Sequence, residues 1–170
     1  MGKVVYLLIG PTGAGKTYIG GVIEQRLGIP YLNAEPIFLS HAKTATTTGY
    51  ERQKEGFAVV ESALDELMQQ RGEASYDTTA AAEYFPTLLK NLRSKYDVKL
   101  IRVLAKPDTC LQRVKTRDLS RHIPVTDEHV MEVNDIAMKI DLPWDLVIHN
   151  DPPLATDKIV MLFKGLIPLQ

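Results

Sequence analysis

The sequence predicts an α/β fold: a five-stranded parallel sheet covered by helices on both faces. Two observations predict it. Short continuous apolar runs, the reading of strands buried on both sides, alternate along the chain with segments whose apolar residues recur at helical spacing. Strands that alternate with helices in this way pair in parallel, because each helix carries the chain back across the sheet. The chain has 170 residues, the size of one ordinary domain, so a single unit over residues 1–170 is expected.

Each element has its own signal. Residues 3–9, apolar from Val4 onward, form a run that ends in Gly10, the first strand. Residues 16–27 place Ile19, Val22, Ile23 and Leu27 on one stripe, and Gly28 followed by Pro30 stops the helix. Gly20 and Gly21 weaken that helix and are expected to permit close packing on the sheet. A short second strand fits residues 30–33. Thr44 to Thr48 reads as a loop, and residues 38–52 as a whole carry the weakest fold signal. Residues 50–70 form an amphipathic helix through Phe57, Val60, Leu64, Leu67 and Met68, closed by Gly72. Strands are expected at 74–78, 98–105 and 146–149, and helices at 86–94, 108–117 and 156–166. Thr126, followed by Asp127 and Glu128, starts a helix with acids well placed against its dipole.

Composition narrows the function classes. Hydrophobic residues make up 45% and charged residues 24% of the chain, a globular balance. The single cysteine, Cys110, excludes an internal disulfide and a cysteine zinc site, which points to a reducing, cytoplasmic location. The longest apolar run, Val4–Ile9, is far shorter than the roughly 20 residues of a membrane span, so neither a membrane anchor nor a signal peptide is expected. A net charge of -1 disfavours a protein that wraps nucleic acid through phosphate contacts. That total hides a basic patch, since residues 102–121 hold six basic and two acidic side chains.

Gly10-Pro11-Thr12-Gly13-Ala14-Gly15-Lys16-Thr17 matches the GxxxxGK[ST] phosphate loop, or Walker A motif, directly after a buried strand and opening a helix. The glycines let backbone N–H groups turn inward around phosphates, and the helix N-terminus adds partial positive charge. Gly13, Ala14, Gly15, Lys16 and Thr17 are therefore expected to hold ATP. Lys16 would reach the β- and γ-phosphates, and the Thr17 hydroxyl would ligate Mg²⁺.

Together with Asn33-Ala34-Glu35-Pro36-Ile37, Asp77-Thr78-Thr79, Arg113-Val114-Lys115-Thr116-Arg117 and the stretch from Asp145 to Asn150, this loop gives the chain its resemblance to the P-loop kinases of the nucleoside and shikimate kinase type. Within them it looks most like the zeta toxin and polynucleotide kinase branch. The resemblance spans nearly the whole chain and implies strand order 2-3-1-4-5. It implies an acid after strand two that orients or deprotonates an acceptor hydroxyl; Glu35 stands where the family usually has Asp. It assigns Asp77 to Mg²⁺, through water, or to the substrate, with Thr78 adding a hydroxyl contact.

The same resemblance places Arg113 against the base and gives Arg117 and Arg121, in a lid at about 113–125, the neutralisation of the transferring phosphoryl group. Arginine suits this because it clamps phosphate oxygens with two donors and stays charged. Asn150 and Pro152 would line the adenine edge. The acceptor region is expected at about 33–52, where Lys43 and Arg52 suit an anionic acceptor.

These readings lead to an ATP- and Mg²⁺-dependent kinase acting on a small-molecule or nucleotide-type acceptor. A nucleoside, a nucleotide sugar, a polyol and a nucleic-acid 5′ end all remain open, the last disfavoured by charge. The alternative is a nucleotide-binding or ATP-hydrolysing module that regulates a partner.

Overall fold

The computed structural model describes residues 2–118 and 125–167. Its central sheet contains β1 (Val4–Ile9), β2 (Tyr31–Leu32), β3 (Glu73–Thr78), β4 (Asp97–Leu104) and β5 (Leu146–His149). All pairings are parallel, in the order β2-β3-β1-β4-β5. Around the sheet lie α1 (Lys16–Leu27), α2 (Glu35–Thr44), α3 (Gly49–Arg71), α4 (Phe85–Lys95), α5 (Pro107–Thr116), α6 (Asp127–Lys139) and α7 (Thr156–Lys164).

Strand β1 shows why the apolar runs have no polar alternation. Successive side chains leave a strand on opposite faces, and both faces here are covered. Val5, Leu7 and Ile9 enter a core with Phe57, Val60 and Leu64 of α3 and Leu88 and Leu92 of α4. Tyr6 and Leu8 enter a second core with Ile19 and Ile23 of α1, Cys110 of α5 and Phe163 of α7.

Helix boundaries follow local chemistry. Gly28 and Gly72 adopt left-handed conformations at the ends of α1 and α3 and return their N–H groups to Glu24 and Met68. Thr126 caps α6 by accepting the His129 N–H at 3.2 Å. The weakly patterned stretch 38–52 differs from expectation: it continues as helix through α2 and resumes at α3, so its non-helical part is residues 45–48. Pro36 sits in the first turn of α2, where its missing N–H costs nothing. The pattern is weak because α2 buries no residue fully; Ile37 and Phe38 only half-bury against the core.

Gly20 and Gly21 also separate. A Cβ on Gly20 would stand 2.5 Å from the Tyr31 ring, whereas one on Gly21 would meet nothing within 4 Å. Only the first glycine serves packing.

The register places the site. Leu8 pairs with Asp77 and Ile9 with Thr78, so the carboxyl end of β3 lies beside the point where β1 turns into the phosphate loop.

Candidate active site

At that carboxyl edge lies a cavity of about 500 Å³. Gly13, Gly15, Lys16 and Thr17 line one part of it; Glu35, Asp77 and Thr78 line another; Arg113 and Arg117 complete the wall. Nine of the expected site residues therefore meet in one place.

The phosphate loop is tied down by side chains from other elements. Gly15 takes φ +96°, and a Cβ there would strike the Asn150 amide nitrogen at 2.3 Å. That nitrogen donates to the Ala14 carbonyl at 2.9 Å. Arg113 also donates to this carbonyl, at 3.4 Å, and to those of Gly13, at 3.2 Å, and Asn150, at 2.9 Å. A trans peptide holds its N–H opposite its C=O. With the Ala14 carbonyl drawn outward, the Gly15 N–H turns the other way, and Gly15 lines the cavity.

Asn134 of α6 completes the anchoring. Its amide accepts the Thr12 N–H at 2.7 Å and donates to the Thr12 carbonyl at 3.0 Å. Sequence reasoning missed Asn134, a lone amide in an amphipathic helix whose partner lies 122 residues away.

Lys16 is buried, and its ammonium donates to the carbonyls of Gly10 and Pro11, each at 2.9 Å. Burial lowers its pKa, Arg117 adds to the fall, and the carboxylates of Asp77 and Glu35 work against it. Burial likewise pushes the Asp77 carboxyl upward, opposed by Lys16 and by a hydrogen bond from Tyr31. Two desolvated groups of opposite charge facing one cavity suit a charged, polar ligand.

Tyr31 is the second residue missed. Its hydroxyl donates to Asp77 Oδ1 at 2.5 Å, and it shares a hydrogen bond with Thr17. It thereby links the two side chains expected at Mg²⁺. Burial and the Asp77 charge hold the Tyr31 pKa far above its ordinary value, so it remains a donor. Mg²⁺ on a phosphate loop takes one or two protein oxygens and completes its shell with phosphate and water. The Thr17 hydroxyl and Asp77 carboxylate fit that donor set.

Glu35 is the first residue of α2, and its N–H is received by the Asn33 side chain at 3.1 Å. Arg117 lies just past α5 in extended backbone, so its place beside Arg113 comes from the end of the helix rather than from a shared helical face. Its buried Nε has no hydrogen-bond partner among the described residues.

Other expected residues stand apart. Lys43 is exposed in the last turn of α2. Arg52 donates to the Ala42 carbonyl at 3.0 Å, joining α3 to α2. Neither lines the cavity. Asn150 is buried behind the loop, Ala14 lies in the second core, and Pro152 is exposed. Arg121 and the later part of the expected lid lie outside the described residues.

A parallel sheet ordered 2-3-1-4-5, with a phosphate loop after its central strand, defines the class: a P-loop protein with the fold of the small-molecule kinases. Residues 2–139 match the family model of Zeta toxin, and the chain belongs to that family. It is 31% identical over 72 residues to an adenylate kinase of Acholeplasma laidlawii, a match covering 41% of this chain and 33% of the relative. The chain thus spans about a third of the length of the adenylate kinases it matches.

Among solved structures, a putative kinase from Chloroflexus aurantiacus superposes with a TM-score of 0.69 at 15% identity, over 99% of this chain and all of the other. The shikimate kinase of Bacteroides thetaiotaomicron gives 0.63 at 17% identity, over 98% and 99%. At these identities the likeness concerns the fold. No helix among the described residues is long and apolar enough to cross a membrane.

Proposed function

We propose that this chain is an ATP-dependent phosphotransferase that moves the γ-phosphoryl group to a hydroxyl of a small-molecule or nucleotide-type acceptor. The observation that carries the reading is one cavity in which Lys16 and Arg117 face the carboxylates Glu35 and Asp77. Cations are needed where phosphate charge develops, and a carboxylate where a hydroxyl must lose its proton.

In this reading, Gly13 to Thr17 grip the phosphates through backbone N–H groups. Lys16 exchanges its carbonyl partners for phosphate oxygens, which lowers the cost of its burial. Arg117, whose Nε is unpartnered among the described residues, neutralises charge on the transferring group, while Arg113 keeps the loop in shape. Glu35 orients the acceptor hydroxyl and receives its proton. Thr17 and Asp77 would hold Mg²⁺, which when bound neutralises the β- and γ-phosphate oxygens. A cytoplasmic location, where ATP is supplied, belongs to the same proposal.

The test is transfer of label from γ-labelled ATP into a metabolite pool by wild type and Glu35→Gln. Wild type should label an organic acceptor; the variant should lose at least about a hundredfold in turnover, the range of general base catalysis, with ATP affinity within about twofold. Unchanged turnover in the variant removes Glu35 from the chemistry. Label found only in inorganic phosphate identifies an ATP-hydrolysing module instead.

A further inference from the structure

Helix α6 is fastened largely by polar contacts. Two of its 13 residues, Val130 and Ala137, are buried, while Met131, Ile136 and Met138 are exposed. Lys115 of α5 reaches Asp127 at its start, 2.8 Å away, and Arg102 of β4 donates to the Met138 carbonyl near its end at 2.9 Å. Midway, at helical spacing from Val130 and Ala137 and hence on their face, stands Asn134. Asparagine is a poor helix former, and a leucine of similar volume would extend the buried stripe. A residue that goes against its local preference marks a position with another duty.

What Asn134 holds is the pair of peptides on either side of Thr12. The Ala14 N–H donates to the Pro11 carbonyl at 3.1 Å and closes a turn over residues 11–14. Gly13 takes φ +88° and Thr12 a negative φ, the pairing of a type II turn. The Thr12–Gly13 peptide is the central one of that turn, and a half-rotation of this peptide alone would give a type I turn with the Gly13 N–H reversed. The Asn134 amide donates to the Thr12 carbonyl at 3.0 Å and so fixes that rotation.

Because a trans peptide sets its N–H opposite its C=O, the Gly13 N–H is turned away from Asn134. Gly13 lines the cavity; Asn134 does not, and with Pro11 it lines a separate, smaller pocket between α5 and α6. The second bond acts on the preceding peptide. Asn134 accepts the Thr12 N–H at 2.7 Å, which turns the Pro11 carbonyl the other way, where the Lys16 ammonium donates to it at 2.9 Å. One amide thus sets the direction of a loop N–H and an anchor of the loop lysine.

Resting on the nucleotide site of the phosphotransferase reading, we infer that Asn134 is a positioning residue for the nucleotide: it holds the Thr12–Gly13 peptide in the orientation that presents the Gly13 N–H to a phosphate oxygen, so that α6 preforms the phosphate loop. Without it the turn is free to take the other form, and binding must include turning the peptide back. A ligand with the same run of phosphates and no base is subject to the same requirement.

The test uses the full chain, isotope-labelled for NMR, with ATP and inorganic tripolyphosphate as Mg²⁺ complexes. In wild type each ligand should move the Gly13 amide proton downfield, the mark of a short bond to a charged oxygen. A Gly13 amide that does not move overturns the inference whatever the variants do. Asn134→Leu, which keeps the volume and removes both bonds, should weaken both ligands by about tenfold and diminish that shift. Arg102→Ala loosens the far end of α6 without touching the loop and should leave both affinities within about twofold.

Equal losses in the two variants, or affinities in Asn134→Leu within about twofold of wild type, overturn the inference and leave the phosphotransferase reading intact. Affinity lost in Asn134→Leu alone, in a chain that labels no acceptor, upholds the inference and removes the phosphotransferase reading. Wild type that binds neither ligand removes both.

Discussion

The Tyr31 hydroxyl donates to a carboxylate that burial is pushing toward its neutral form, and the same hydroxyl reaches Thr17. One phenol thus sets the orientation of both side chains proposed to hold the metal. Partners of this kind shift metal affinity by about tenfold or more when removed. Tyr31→Phe is expected to raise the Mg²⁺ concentration for half-maximal turnover by about tenfold, while the lost hydrogen bond costs no more than about 2 kcal/mol of stability. Metal titration and urea denaturation read the two effects separately. Tyr31 escaped sequence reasoning because a tyrosine in a two-residue strand carries no periodic signal, and its partner Asp77 is 46 residues away. Lys16 and Thr17 were legible because the loop chemistry needs those residues at that spacing, next to one another in the chain.

At the scale of elements, strands and amphipathic helices were readable wherever one side of the pattern is fully buried, as in β1, α3 and α4. Helix α2 was not, because its burial is partial throughout, so the sequence places Glu35 only after the second strand and not on a helix. The two adjacent glycines of α1 test the packing argument directly. Gly21→Ala, with open space around it, should gain about 0.5–1 kcal/mol through helix propensity and a less disordered unfolded chain. Gly20→Ala should instead lose about 1–3 kcal/mol, because its methyl group would overlap the Tyr31 ring and force a shift. Equilibrium unfolding of the two variants under one set of conditions decides it; equal effects of the same sign would remove the close approach as the reason for Gly20.

For the molecule as a whole, the buried Lys16 ammonium makes the phosphate loop a place where charge is held at a cost. A ligand that binds only the folded chain adds about 2.7 kcal/mol at a hundred times its Kd, which for a domain of this size is a rise in Tm of about 5–10 °C. MgATP should produce that rise in wild type and none in Lys16→Ala. The nucleotide-free variant should melt no lower than wild type, since it no longer buries the charge. Thermal unfolding with and without MgATP measures both. The close approach of α1 to the sheet also has a consequence for the chain's history. Positions 20 and 31 form a matched pair, in which a larger residue at the first demands a smaller one at the second. The second carries the hydroxyl that holds Asp77, so drift at an unremarkable helix position is confined by chemistry on the other side of the ring.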